Sequence, residues 1–126
     1  MKTKTIVFLL IASAFLLMSA SCISDPIKSF ENSVTKLSQN YQDYSPTKLK
    51  RSINKCESKI IKINSNKDKL SIRQKQTCIY QKARYTALLI QIRVHLAAVD
   101  WGYEAVEELR QYINKCLEEL EHLSFD

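Results

Sequence analysis

DPIKSFENSVTKLSQNYQDYSPTKLKRSINKCESKIIKI, residues 25–63, decides the fold. It holds the same device twice. Asp25-Pro26 and Ser45-Pro46 each place a short side-chain acceptor before a proline, the pairing that caps and opens a helix. After the first pair come Ile27, Phe30, Val34, Leu37, Tyr41 and Tyr44, spaced alternately by three and four. After the second come Leu49, Ile53, Cys56, Ile60 and Ile63 in the same rhythm. An unbroken stripe of this period makes one apolar face on a helix. The second stripe stops in the polar run Asn64-Ser65-Asn66.

The chain continues in the same style toward its C-terminus. Ser71 is the expected N-cap of a third helix with two apolar seams. One seam is Ile72, Gln76, Ile79, Ala83, Thr86 and Ile90; the other is Cys78, Lys82, Tyr85, Leu89, Ile92, Leu96 and Val99. A helix apolar on two sides is expected at the centre of a bundle, packed by neighbours on both. Asp100-Trp101-Gly102 reads as a turn, yet Val99, Tyr103, Val106, Ile113, Leu117 and Leu120 keep the heptad phase across it. A turn and one continuous helix both fit. With one Gly and two Pro in the chain, a sheet would lack turn residues. The prediction is an all-α protein, an antiparallel three- or four-helix bundle over residues 22–126. Its helices are expected near 26–43, 46–63, 71–99 and 102–123.

Residues 1–21 read differently. Lys2 and Lys4 precede the uncharged run Ile6–Met18, and Ser19, Ala20 and Ser21 lead to Cys22. This basic, apolar, small-residue order is that of a signal peptide. The apolar run is short for a membrane span, which needs roughly 20 residues. Cleavage before Cys22 suits ordinary processing, because Ser19 and Ser21 are small. It also suits lipoprotein processing, which leaves the cysteine first and acylated. Ala20, Ser21 and Cys22 fit that pattern, and Ser19 stands where leucine is usual. The lipidated reading at Cys22 is preferred, giving a membrane contact through an N-terminal lipid.

An exported compartment favours thiol oxidation. The turn after the second helix centres near Lys67, and Cys56 and Cys78 stand equally far from it. In an antiparallel hairpin they meet at one height, which predicts a Cys56–Cys78 disulfide. Cys116 either competes for Cys78 or stays a buried thiol. No two cysteines stand at a zinc-site spacing.

Charge is unevenly laid out. Loss of residues 1–21 removes Lys2 and Lys4, leaving 17 basic against 13 acidic side chains, or +4 in place of +6. Residues 47–84 hold 12 Lys and Arg with only Glu57 and Asp68 as acids; residues 100–126 hold eight acids against Arg110 and Lys115. One reading packs the acidic helix beside the basic ones, where exposed ion pairs add about 0–1 kcal/mol each. The other is a polyanion-binding face. Lys48, Arg51, Lys55 and Lys62 recur on the side of the second helix away from its seam. The partner would be an anionic envelope component or an acidic protein, and no nucleic-acid motif is present.

The sequence assembles no catalytic triad, phosphate loop or paired-carboxylate site. His95 lies on a nearly apolar helix and reads as a packed histidine; His122 reads as solvated. No cofactor and no enzymatic activity are expected.

Several short stretches resemble small helical lipoproteins of Bacteroidetes, a family of unestablished function. They are the signal ending at Cys22, Phe30, Tyr44-Ser45-Pro46, Lys67-Asp68-Lys69-Leu70-Ser71 and Ala83-Arg84-Tyr85-Thr86-Ala87-Leu88. Ala83 stands where that family often has glycine, and Leu49 where it often has an aromatic. The resemblance implies a bacterial envelope lipoprotein facing the periplasm and supplies no activity. The expected function is a non-enzymatic binding or structural module anchored through Cys22. The alternative is a soluble secreted, disulfide-stapled helical effector or inhibitor acting on another protein.

Overall fold

The computed structural model describes residues 24–126. Residues 1–21, expected as a signal peptide, and Cys22, expected to carry the lipid, lie outside the described residues. Four helices and no strand are found among those described. They are α1 (Ser24–Asn40), α2 (Pro46–Ser65), α3 (Ile72–His95) and α4 (Tyr103–Glu121). Single 3-10 turns, Tyr41–Asp43 and Lys67–Lys69, follow α1 and α2.

The starts of α2 and α3 have local causes. Ser45 Oγ accepts the Lys48 N–H at 3.3 Å, with Pro46 next to it in the first helical position. Ser71 and Gln74 form a reciprocal capping box: Gln74 N–H donates to Ser71 Oγ at 3.1 Å, and Ser71 N–H to Gln74 Oε1 at 2.8 Å. Asp25, expected as a cap, already lies inside α1. α3 and α4 are separate helices, parted by the segment 96–102. Gly102 precedes α4 with φ +84° and ψ 156°, a backbone region closed to side chains with a Cβ.

Packing puts α1 against α2 and α3, and α4 against α3 and α2. Around the bundle the order is α1, α2, α4, α3. Helices α2 and α3, consecutive in the chain, occupy opposite corners. Lys50 and Asn54 of α2 meet Glu108 and Tyr112 of α4, and Asn64 meets Ser124 beyond it, so α2 and α4 run parallel. Arg93 meets Asn114 and Lys82 meets Leu123, so α3 and α4 run antiparallel.

The apolar stripes converge on one core. Leu49, Ile53, Leu89, Ile92 and Ile113 are fully buried, and the ring of Phe30 stands edge-on to Tyr85 at 5.5 Å. Burying such side chains contributes roughly 1.5–3 kcal/mol each. Phe125, beyond the end of α4, folds back into the same core beside Ile27, Phe30, Ile60 and Ile63. Its backbone is held by basic side chains. Lys82 Nζ donates to Leu123 O at 2.6 Å, and Lys67 Nζ donates to Ser124 O at 2.9 Å. These cations give partners to two carbonyls of the non-helical tail beyond α4.

Two expectations need correction. α3 is not a central helix. Four helices at four corners give each helix two neighbours, so α3 buries its Cys78–Tyr85–Leu89–Ile92 seam with Gln81 and Leu88 on the flank of it. The other seam faces outward, with Ile72, Ile79 and Ile90 exposed. The Cys56–Cys78 disulfide is not formed either: Cys56, Cys78 and Cys116 are free and buried. The hairpin geometry behind it fails because α2 and α3 lie diagonally. Tyr85 is the residue of α3 that faces Ile53 and Glu57, which flank Cys56. Tyr85 and Cys78 are two turns apart, about 10 Å along the axis. Cys78 instead borders Ile60 and Ile63.

Candidate functional site

The outer side of α2 carries the basic face. Its buried stripe, Leu49, Ile53, Cys56, Ile60 and Ile63, fixes which way the helix turns. Lys48, Arg51, Lys55 and Lys62 are therefore directed to solvent, and all four are exposed. They do not form one tight cluster. Lys48 Nζ lies over the Tyr44 ring, 4.7 Å from its centroid. Arg51 lines the groove toward α4, together with Lys50 and Glu108. Lys55 lines the groove toward α1. Lys62 stands near the C-terminal end of α2.

The groove between α1 and α2 adds cations that the sequence did not single out. Lys28, Lys36, Lys55 and Lys59 line it, with Ser29, Asn32 and Ser33 between them. Lys59 forms its floor. Its ammonium donates to Ser29 Oγ at 2.8 Å and Ser33 Oγ at 2.7 Å. Partial burial lowers the Lys59 pKa, and the charge of Lys55 lowers it further. Among the described residues Lys36, Lys55 and Lys59 make no ion pair, while Lys28 contacts Glu31 at 3.6 Å. A groove of ammonium and hydroxyl groups suits a phosphate or carboxylate ligand. The α1 half escaped the sequence reading because Lys28 and Lys36 lie far from Lys55 along the chain. The signal that was available is the Ser29–Ser33 spacing on one helix face.

The acidic helix packs beside α2, as one reading of the charge layout had it. A single ion pair crosses that interface among the described residues, Lys50–Glu108 at 2.8 Å. Glu107 pairs within α4, with Arg110. The cations on the outer side of α2 thus keep their charge free for other partners.

Glu57 is the acid that sequence reasoning passed over. It is only 4% exposed and sits in the core. Its Oε1 lies 2.8 Å from the Tyr85 hydroxyl, which also lies 3.3 Å from Ile53 O. Glu57 Oε2 is buried without a hydrogen-bond partner. Burial pushes the Glu57 carboxyl up to about 7, the Tyr85 hydroxyl opposes the rise, and the charge of Glu119 adds to it. Cys116 borders the same carboxyl, and burial together with Glu57 pushes its thiol up to about 12. The available signal was position: Glu57 directly follows the seam residue Cys56, on the flank of the buried stripe.

His95 is half-buried at the end of α3. Its ring stands edge-on to Tyr41 at 5.3 Å and to Trp101 at 6.3 Å. Its Nε2 is buried and makes no hydrogen bond. His122 is exposed. Among the described residues no three His, Cys, Asp or Glu side chains group closely enough to hold a metal ion. No described helix is long and apolar enough to cross a membrane.

No family model matches the chain, and no curated protein or solved structure matches it.

Proposed function

We propose that this protein is a bacterial envelope lipoprotein, exported by residues 1–21 and anchored through an acylated Cys22. It acts as a non-enzymatic binding or structural module facing the periplasm. Its partner is an anionic envelope component or an acidic protein, held by the outer face of α2. The observation that carries the binding half is the row Lys48, Arg51, Lys55 and Lys62. All four are exposed, and among the described residues none is neutralised by an acid. Lys28, Lys36 and Lys59 extend the face toward α1.

The anchoring half is supported by the sequence. Cys22 follows a basic, apolar, small-residue leader. The described bundle begins at Ser24, so an acyl group on Cys22 would hold the fold close against the membrane. The likeness to Bacteroidetes lipoproteins supports the same compartment.

The test is incorporation of a labelled fatty acid by cells expressing the full chain. The label is expected on the wild type and absent from Cys22→Ala. Equal labelling of both, or of neither, rejects the anchor. For the binding face, Lys55→Glu with Lys62→Glu is expected to weaken retention on a phosphate polyanion resin by about tenfold, more at low salt than at high. Retention unchanged by that pair rejects the face.

A further inference from the structure

The exposed large apolar residues of this bundle are not scattered. They are Ile61, Ile72, Ile79, Tyr80, Ile90, Val94 and Tyr103, and five of the seven lie on α3. Ile72 is 79% exposed, Val94 69% and Tyr80 64%. With the exposed Ala83 and Ala87 between them, these residues stripe the outer side of a 24-residue helix from end to end. Isolated surface hydrophobics need no explanation, but a continuous stripe does.

Charge indicates what covers it. α3 contains Arg73, Lys75, Lys82, Arg84 and Arg93 and no acid. Three of these cations are held by neutral acceptors: Arg84 by Thr35 Oγ1 at 2.8 Å, Lys82 by Leu123 O, and Arg93 by Asn114 Oδ1 at 2.7 Å. Their positive charge is fixed in place and not cancelled. Arg84 flanks the stripe on the α1 side, Lys82 and Arg93 on the α4 side. Glu118 and Glu121 share the α4-side groove. A second copy docked stripe to stripe would bring the five cations of α3 against themselves, with Glu118 and Glu121 alone on the α4 side to offset them, and like charges across an interface oppose docking. An apolar stripe flanked by Lys and Arg is the pattern of a helix lying in an anionic membrane interface.

We propose that α3 is the membrane-facing side of the bundle and lies along an anionic lipid surface, with the stripe Ile72–Val94 in the headgroup region. The orientation rests on the Cys22 anchor proposed above. α1 begins next to Cys22 and packs against both α3 and α2, so the tether lets the α3 side reach the membrane and the exposed stripe decides the orientation. α2 occupies the opposite corner, so its cationic outer face is turned toward the compartment and stays open for a second anionic partner.

The test uses residues 22–126, which hold the whole described bundle, with Cys22→Ser, so that neither the apolar leader nor an acyl group contributes. Its sedimentation with vesicles of equal phosphatidylglycerol and phosphatidylcholine is compared with pure phosphatidylcholine. Binding is expected to be at least about tenfold tighter to the anionic vesicles and to weaken as salt rises. Ile72→Ser with Val94→Ser is expected to lower it by about tenfold, with the helical circular dichroism retained. Arg73→Gln with Lys75→Gln, also on the surface, should reduce both the affinity and its salt dependence. Tyr103→Ser on α4 should change neither. Equal partitioning into both vesicles, or anionic binding untouched by the Ile72/Val94 pair, overturns the proposal. So does a homodimer in solution that this pair abolishes, because the stripe then belongs to a second copy. Failure of Cys22 acylation in cells rejects the anchor alone, since the vesicle measurement does not involve it.

Discussion

The Glu57 carboxyl and the Tyr85 hydroxyl meet at 2.8 Å inside the core, joining α2 and α3 across the diagonal of the bundle. This polar contact ties together two helices that share little other surface. With Glu57 protonated, its O–H can donate to the Tyr85 oxygen while Tyr85 donates to Ile53 O. With Glu57 ionised, Tyr85 turns its proton to the carboxylate and the contact with Ile53 O goes unmet. Burial favours the neutral form, because ionisation would leave charge on a carboxylate whose Oε2 is buried without a partner.

Stability should therefore fall as pH rises through the range of this group. The folded-state pKa of Glu57, about 7, lies above its ordinary value of 4.5, so the native protein holds the proton more tightly. The stabilisation is complete below about pH 4.5 and is lost as pH approaches and passes 7, on the order of 3 kcal/mol in all. Urea unfolding from pH 5 to pH 8 should show the decline. Glu57→Gln should flatten it and raise stability at pH 8. A decline of equal size in Glu57→Gln would assign it to other groups.

Gly102 should be the residue of the α3–α4 connection that its backbone alone makes hard to replace. A Cβ there meets nothing within 4 Å, so any penalty comes from the backbone alone, at φ +84°. Gly102→Ala is expected to cost about 1–3 kcal/mol, measured by thermal or urea unfolding. A neutral substitution would show that the connection relaxes without strain.

Phe125 should behave as a core residue although it follows the last helix. It is 1% exposed and fills the end of the bundle where α1 starts. Phe125→Ala is expected to destabilise by about 3–5 kcal/mol. Amide exchange in α1 near Ile27 should rise with it. A cost below about 1 kcal/mol would mean that the tail packs loosely.

The three described thiols should be inert in the native state. Burial pushes Cys56 and Cys116 up to about 12 and Cys78 to about 11, so almost no thiolate exists at neutral pH. Alkylation of Cys56, Cys78 and Cys116 by iodoacetamide should require denaturant, with all three then reacting. Rapid labelling of any one under native conditions would place it at an accessible surface.

Much of this architecture was legible in the chain. Ser45-Pro46 and Ser71 with Gln74 marked two helix starts through side chains that cap their own backbone. The alternation of three and four selected Leu49, Ile53, Cys56, Ile60 and Ile63 for the core. A seam records which residues are buried and is silent on which helix buries them. That is why Cys56 and Cys78, both on seams, were placed opposite each other although α2 and α3 lie on the diagonal. The same silence made α3 look central, since its Ile72–Ile90 side has a core-like pattern without a covering neighbour. Glu57 and Phe125 were missed for another reason. A buried acid and a tail folded into the core depend on distant partners, Tyr85 for the first and Ile27 with Ile60 for the second. Of the basic face, the α2 half was readable from helical spacing; the α1 half needed the fold to bring Lys28 and Lys36 beside Lys55.

The intact mass of the mature protein, purified from membranes with and without reductant, tests the central claim most directly. The account predicts the mass of residues 22–126 plus the acyl groups of a lipidated Cys22, unchanged by reduction. An unacylated mass, whether of the full chain or of residues 22–126, would contradict it, as would a two-hydrogen gain on reduction.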